Sequence, residues 1–167
     1  ESEAVASEVE DNGGVYLVPA FSGLSAPHWN SAARAAILGM TGHTRKAHIV
    51  RAALEAISYQ IRDVLDMIRA EARISPGRMR ADGGPTQNAL LMQFTADITR
   101  LEWEVSGVAE SSALGAAMAG MLGLGVHGSL DDLNGMPAAE RRYQPAMPAE
   151  QARALHQAWQ AAVRRVL

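Results

Sequence analysis

The chain has 167 residues, 48% of them hydrophobic and 20% charged, with a formal net charge of -3. Such a composition predicts the packed core of one ordinary domain rather than disorder, and the acidic balance argues against a nucleic-acid-binding module. There is no cysteine, which removes disulfides, thiolate chemistry and cysteine-ligated metals, and suits the cytoplasm.

Glu1 to Asn12 is acidic and small, a helix end or loose lead-in that organises no core alone. Gly13-Gly14 breaks the chain, and Val15-Tyr16-Leu17-Val18 predicts a short strand stopped by Pro19. The run from Ala20 to Ala33, rich in Ser, Gly and Pro, predicts a long loop without secondary structure of its own. Loops of that length are often functional; the other reading is an arm that packs Phe21 and Trp29 against the body. Ala35 to Met40 predicts a second strand.

A long helix is expected from about Arg45 to Arg73. Val50, Leu54, Ile57, Ile61, Val64 or Leu65, and Ile68 form one apolar stripe at helical spacing. Arg51 with Glu55, and Arg62 with Asp66, stand four apart and can pair along its surface. Ser75-Pro76-Gly77 ends the segment, and Arg78 to Asp82 predicts a strand. Thr86 is placed to cap a helix running to about Ile98, with Leu91, Phe94 and Ile98 inward. Leu101-Glu102-Trp103-Glu104-Val105 alternates apolar and charged residues, the pattern of a half-exposed or edge strand. Ser111 or Ser112 can cap a helix over 113 to 125. Its Gly and Ala residues fit a buried helix packed close to a neighbour, and it is shorter than the roughly 20 apolar residues that a membrane span needs. Leu130 to Pro137 reads as a linker or single turn. Pro148-Ala149-Glu150 opens a last helix with Leu155, Trp159, Ala162 or Val163, and Val166 inward.

From residue 45 the order is helix, strand, helix, strand, helix, which predicts parallel strands joined by helical crossovers. Ligands in such sheets sit outside the carboxyl ends of the strands. Asp82-Gly83-Gly84 lies at one such end, and Ala109-Glu110-Ser111-Ser112 follows the next strand, so the two turns are expected to face one crevice. Adjacent glycines allow backbone to approach a ligand, and the first turn of the following helix offers N–H groups to an anion or a ring edge. Asp82 has two readings, one catalytic and one in which it fixes the turn by accepting backbone N–H bonds. Asp63, Asp66, Asp131 and Asp132 read as solvated charge. His43 and His48 read as surface or capping residues, and no histidine spacing is that of a metal site.

Several stretches taken together resemble a known family. They are Gly14-Val15-Tyr16-Leu17-Val18-Pro19-Ala20-Phe21-Ser22-Gly23-Leu24 with Ala26-Pro27-His28-Trp29; Gly39-Met40, His48-Ile49, Arg51-Ala52-Ala53-Leu54-Glu55 and Ser58-Tyr59-Gln60; Asp82-Gly83-Gly84, Asn88 and Leu91-Met92-Gln93-Phe94; and Glu110 with Ala113-Leu114-Gly115-Ala116-Ala117. This pattern is similar to the C-terminal part of the glycerol kinases, within the FGGY family of sugar and polyol kinases. It covers residues 13 to about 125, with a looser match to the end.

The resemblance implies an α/β domain of the actin-like ATPase (ribonuclease H-like) type, here incomplete and lacking its first strands. It divides the chain into a lead-in at 1–12, a partial nucleotide-binding lobe at 13–130, and a linker and helix of the same domain at 131–167. It implies ATP and Mg²⁺ as cofactors, with Gly84 and Asn88, and Gly83 beside them, on the nucleotide. Neither a catalytic residue nor a metal ligand is expected in this chain; the base would be an aspartate outside it. The implied substrate is a small polyol, glycerol first and xylulose or erythritol as alternatives, bound mainly by a missing N-terminal domain. The intact protein is expected to be a cytoplasmic homo-oligomer with neither nucleic-acid nor membrane partners. A reading of another class is a non-catalytic actin-like module, with loop 20–33 and helix 148–166 as partner surfaces. The chain departs from the family at Pro85-Thr86-Gln87, where small apolar residues are usual, at Asn30 in place of Asp, and at Ser112 in place of Thr.

Overall fold

The computed structural model of the chain describes residues 1–108, 111–133 and 139–167. Its longest element is helix α2, Lys46–Ala72, against which the chain start, the first strand and the next helix pack. The entry to α2 is fixed by His48, whose Nδ1 accepts the Arg45 N–H at 3.0 Å. Its end is marked by Arg73 in the left-handed region at φ 55°. The buried face differs from the predicted stripe. It carries Ala52, Glu55, Ala56, Ser58, Tyr59, Asp63 and Leu65, while Ile57 and Ile68 remain 41% and 38% exposed. Small residues bring the next helix close, so the larger stripe residues turn aside from the packed side.

That next helix is α3, Ala89–Thr99, with Leu91, Phe94 and Ile98 buried as predicted. The two helices share a buried hydroxyl pair, Ser58 Oγ and Thr95 Oγ1, 2.8 Å apart. Thr95 and Thr99 bond back to the carbonyls of Leu91 and Thr95, each at 2.7 Å. Their polar groups are therefore satisfied inside the core. The cap of α3 is Asn88, whose Oδ1 accepts the Leu91 N–H at 2.9 Å. Thr86, expected in that role, instead closes a 3-10 turn over Gly84–Gln87 by donating its hydroxyl to the Gly83 carbonyl at 2.7 Å.

Helix α5, Ala149–Val163, completes the packing with Ala152, His156, Trp159, Ala162 and Val163 buried. Tyr59 sits at the centre, stacked on Trp159 with ring centroids 5.3 Å apart and edge-on to Phe94 at 5.5 Å. Both arrangements are favourable for aromatic quadrupoles. Asp63 is buried, not solvated: its carboxylate faces His156 Nε2 at 2.6 Å and accepts the Trp159 indole N–H at 2.7 Å.

The predicted strands at 15–18 and 35–40 form an antiparallel pair, β1 (Tyr16–Val18) and β2 (Ala36–Leu38). Strands β3 (Arg78–Ala81) and β4 (Glu102–Ser106) pair in parallel, as the helical crossover requires. The prediction of an edge position for β4 is corrected by a further strand, β5 (Ala139–Tyr143), which pairs antiparallel on its other side. No strand was expected there. The polar face of β4 is also not exposed: Glu104 is 2% exposed beneath Arg78, Arg80 and Arg142, which approach it at 3.2, 3.4 and 3.1 Å. Trp103 and Val105 point the other way, into a second core cluster with Leu65, Met92 and Ala96.

Two further expectations are overturned. The loop from Ala20 to Ala33 has its own pairing, with Leu24 and Asn30 exchanging backbone bonds at 2.8 and 2.9 Å. It does not pack its aromatics on the body, since Phe21 and Trp29 are each 75% exposed. Helix α4, Ser111–Gly123, was expected to be buried and has no buried residue. Residues Ala109, Glu110 and 134–138, which include the family-like Glu110, lie outside the described residues. Among the described residues no helix is long and apolar enough to cross a membrane.

Candidate nucleotide site

The carboxyl end of β3 leads directly into Asp82-Gly83-Gly84, where the two glycines serve different ends. Gly83 adopts φ 90° and ψ 175°, a conformation that L residues rarely hold. At Gly84 no such strain exists, and a Cβ built there meets nothing within 4 Å. Its lack of a side chain therefore leaves open space beside the backbone. Asp82 is exposed and accepts no hydrogen bond among the described residues, so the turn is pinned by Thr86 instead.

Gly84 borders a cleft of about 490 Å³. Pro85, Gln87, Asn88 and Leu91 line it from the 3-10 turn and α3, Leu54 and Ile57 from α2, and Glu1 to Glu3 from the chain start. The structure thus gathers Gly84 and Asn88 in one cleft, with Gly83 behind them setting the backbone. Among the described residues the acidic lead-in lines this cleft as well, and Ala109 and Glu110 of the second predicted turn lie outside the described residues. Leu54 and Ile57 belong here because the stripe they carry is turned away from the packed side of α2. Their spacing was legible in the sequence, but which side it would face was not.

The lead-in is a built element. Residues Ser2–Ala6 form helix α1, with Ala6 fully buried and Val9 8% exposed. Glu3 Oε1 accepts the N–H of Leu90, in the first turn of α3, at 3.2 Å. Together Glu3 and Asn88 occupy two of the N–H groups that the sequence offered to an anion, and Met92 N–H is taken by the Asn88 carbonyl at 3.1 Å. This helix start is consequently filled by a carboxylate, and a phosphate brought there would meet like charge.

Further along the lead-in, Glu55 of α2 accepts from Asn12 Nδ2 at 2.8 Å and from Arg51 Nε at 2.9 Å. Arg51 Nη1 also donates to the Val9 carbonyl at 2.7 Å. Burial pushes the Glu55 carboxyl above the usual carboxylate range, although Arg51 and Asn12 oppose the shift. Tyr16, close by, is raised by its own burial and then by the Glu55 charge.

A parallel pair of strands joined by a helical crossover, with a glycine turn at the strand end, is an α/β arrangement that matches the actin-like ATPase fold. Residues 1–124 match the profile of the FGGY family of carbohydrate kinases, C-terminal domain, and the chain belongs to that family. It is 49% identical over 159 residues to a glycerol kinase of Chromobacterium violaceum, covering 95% of this chain and 32% of that protein. A glycerol kinase of Saccharolobus islandicus is 46% identical over 167 residues, covering 100% of this chain and 33% of that one. The crystal structure of Plasmodium falciparum glycerol kinase with ADP superposes with a TM-score of 0.90 at 37% identity, over 99% of this chain and 33% of that one. A xylulose kinase from Rhodospirillum rubrum shares the fold, with a TM-score of 0.80 at 24% identity over 98% of this chain and 33% of that one. The chain therefore spans about a third of the length of the relatives it matches.

Proposed function

We propose that this chain is the nucleotide-side part of an ATP-dependent kinase that phosphorylates a small polyol, with glycerol as the first candidate. The observation that carries this reading is the cleft beside Gly84 and Asn88, on a chain that belongs to a family of carbohydrate kinases. The residues present suit the nucleoside end of a nucleotide. Leu54, Ile57, Pro85 and Leu91 supply apolar walls for a base, and Gly84 leaves room for close backbone approach. Asn88 commits Oδ1 to the α3 cap, and among the described residues its Nδ2 has no partner and is left as a donor.

In phosphoryl transfer most of the rate enhancement comes from positioning and from neutralising charge on the transferred group. This chain would hold and orient the nucleoside. We assign to it neither the base nor a magnesium ligand; magnesium would enter with the phosphates. The acceptor pocket and the phosphate-contacting groups would belong to the rest of the intact protein. The absence of cysteine supports a cytoplasmic enzyme, and the resemblance supports a homo-oligomer.

Gly84→Val tests the reading in the intact kinase. A branched side chain in the open space beside the backbone is expected to raise KM for ATP about tenfold or more and to lower kcat. Unchanged ATP kinetics would sink the assignment. A coupled ADP-release assay over glycerol, erythritol, xylulose and gluconate then identifies the acceptor, and glycerol is expected to give the highest kcat/KM.

A further inference from the structure

The intact kinase reaction needs the nucleoside wall held still, and the described residues show what holds it. The start of α3 carries Asn88 as its cap, so the direction of the Asn88 amide depends on how that helix start is fixed. Glu3 reaches it from the chain start, accepting the Leu90 N–H one residue before the N–H that Asn88 accepts. Glu3 also lines the same cleft as Gly84 and Asn88.

Glu3 stands on a short helix that is anchored on its C-terminal side. Ala6 is buried against the body. Just beyond, Val9 and Asn12 are tied to α2 through Arg51 and Glu55, at 2.7 Å and 2.8 Å. The Asn12 Oδ1 closes the turn by accepting the Gly14 N–H at 2.9 Å. A side chain presented from an anchored segment loses little freedom when it makes its bond, which is what a positioning group requires.

We propose that Glu3 is a positioning residue for the nucleotide: its hydrogen bond to Leu90 N–H sets the start of α3 and, through it, the Asn88 amide and the cleft wall. The proposal rests on the nucleotide-site reading given above. Its role is separate from catalysis, because Glu3 acts through α3 and touches no reacting atom. The carboxylate also fills the positive end of α3, so the uncharged end of a nucleotide is favoured there over its phosphates.

The test is made in the intact kinase, with Asn88→Ala as the reference for the site itself. Loss of a capping acceptor in Glu3→Ala is expected to raise KM for ATP about 3- to 10-fold. The kcat and the KM for glycerol should stay within about twofold. Glu3→Gln keeps a carbonyl oxygen for the Leu90 N–H and is expected to recover most of the ATP affinity. Glu3→Ser, too short to reach, repeats the alanine result should the alanine variant not fold. If Asn88→Ala raises KM for ATP and Glu3→Ala and Glu3→Ser do not, the positioning role is wrong and the site stands. If none of the three moves it, the site reading falls as well. A joint collapse of kcat and both KM values, or a glutamine variant as impaired as alanine, would equally overturn the positioning role.

Discussion

Helices α4 and α5 are of similar length, 13 and 15 residues, and use their apolar residues in opposite ways. Five residues of α5 are buried, and they include a tryptophan and a histidine held by a carboxylate on another helix. None is buried in α4, although its sequence, Ser-Ser-Ala-Leu-Gly-Ala-Ala-Met-Ala-Gly-Met-Leu-Gly, carries no charge at all. A helix that is apolar all round is normally a buried one. The difference lies in what each meets. Helix α5 finds α2 and α3, whereas the surface that would cover α4 is not among the described residues. Composition thus tells that a helix seeks burial, and only an amphipathic stripe tells which face will be used.

The packed side of this comparison breaks most easily at Asp63. Replacing it with alanine leaves the Trp159 indole N–H and His156 Nε2 without their carboxylate partner, with both residues nearly fully buried. Each stranded buried polar group costs about 1–3 kcal/mol, so Asp63→Ala is expected to lower stability by about 3 kcal/mol or more. Urea denaturation followed by tryptophan fluorescence reads this directly. A loss below about 0.5 kcal/mol would show that α5 is held by its aromatic stacking alone.

What the sequence made legible follows the same division. Strands β1 and β2, helices α2, α3 and α5, and the parallel pairing of β3 with β4 were all readable, because local periodicity and turn residues specify them. The partners of β4 were not, since alternating Glu102-Trp103-Glu104-Val105 looks the same at an edge and beneath a layer of arginines. Asp63 looked like surface charge because its partners, His156 and Trp159, lie 93 and 96 residues away. In the site, Gly84 and Asn88 were legible from the turn and the helix start. Glu3 was not, for a lone glutamate in an acidic lead-in carries no local sign of the helix end it will reach. The same holds for Leu54 and Ile57, whose spacing announced a stripe but not that it would line a cleft.

A weaker effect separates the anchored lead-in from the aromatic core beside it. Burial raises the Glu55 carboxyl in the folded state above its ordinary value of 4.5. The folded protein therefore binds that proton more tightly than the unfolded chain does. Its contribution to stability is full below about pH 4.5 and is lost as the pH rises through the folded-state value. Glu55→Gln removes the titration and keeps one acceptor oxygen, enough for one of the two donors, Asn12 or Arg51. The stability of the variant relative to wild type should consequently grow from pH 4 towards pH 7, by less than the Asp63→Ala loss. A difference independent of pH would mean that Arg51 and Asn12 fully offset the burial of the carboxylate.

The smallest effect is expected on the bare side. Ala116 lies in the middle of α4 and is exposed, so a glutamate there meets water and costs only the difference in helix propensity. Ala116→Glu should shift the stability of this chain by no more than about 0.5 kcal/mol, against the several kcal/mol expected for Asp63→Ala on the packed side. A loss above about 2 kcal/mol would mean that this face of α4 is covered in solution. Denaturation at two protein concentrations then identifies the cover. A midpoint that rises with concentration would assign it to a second copy of the chain, because only association makes stability depend on concentration.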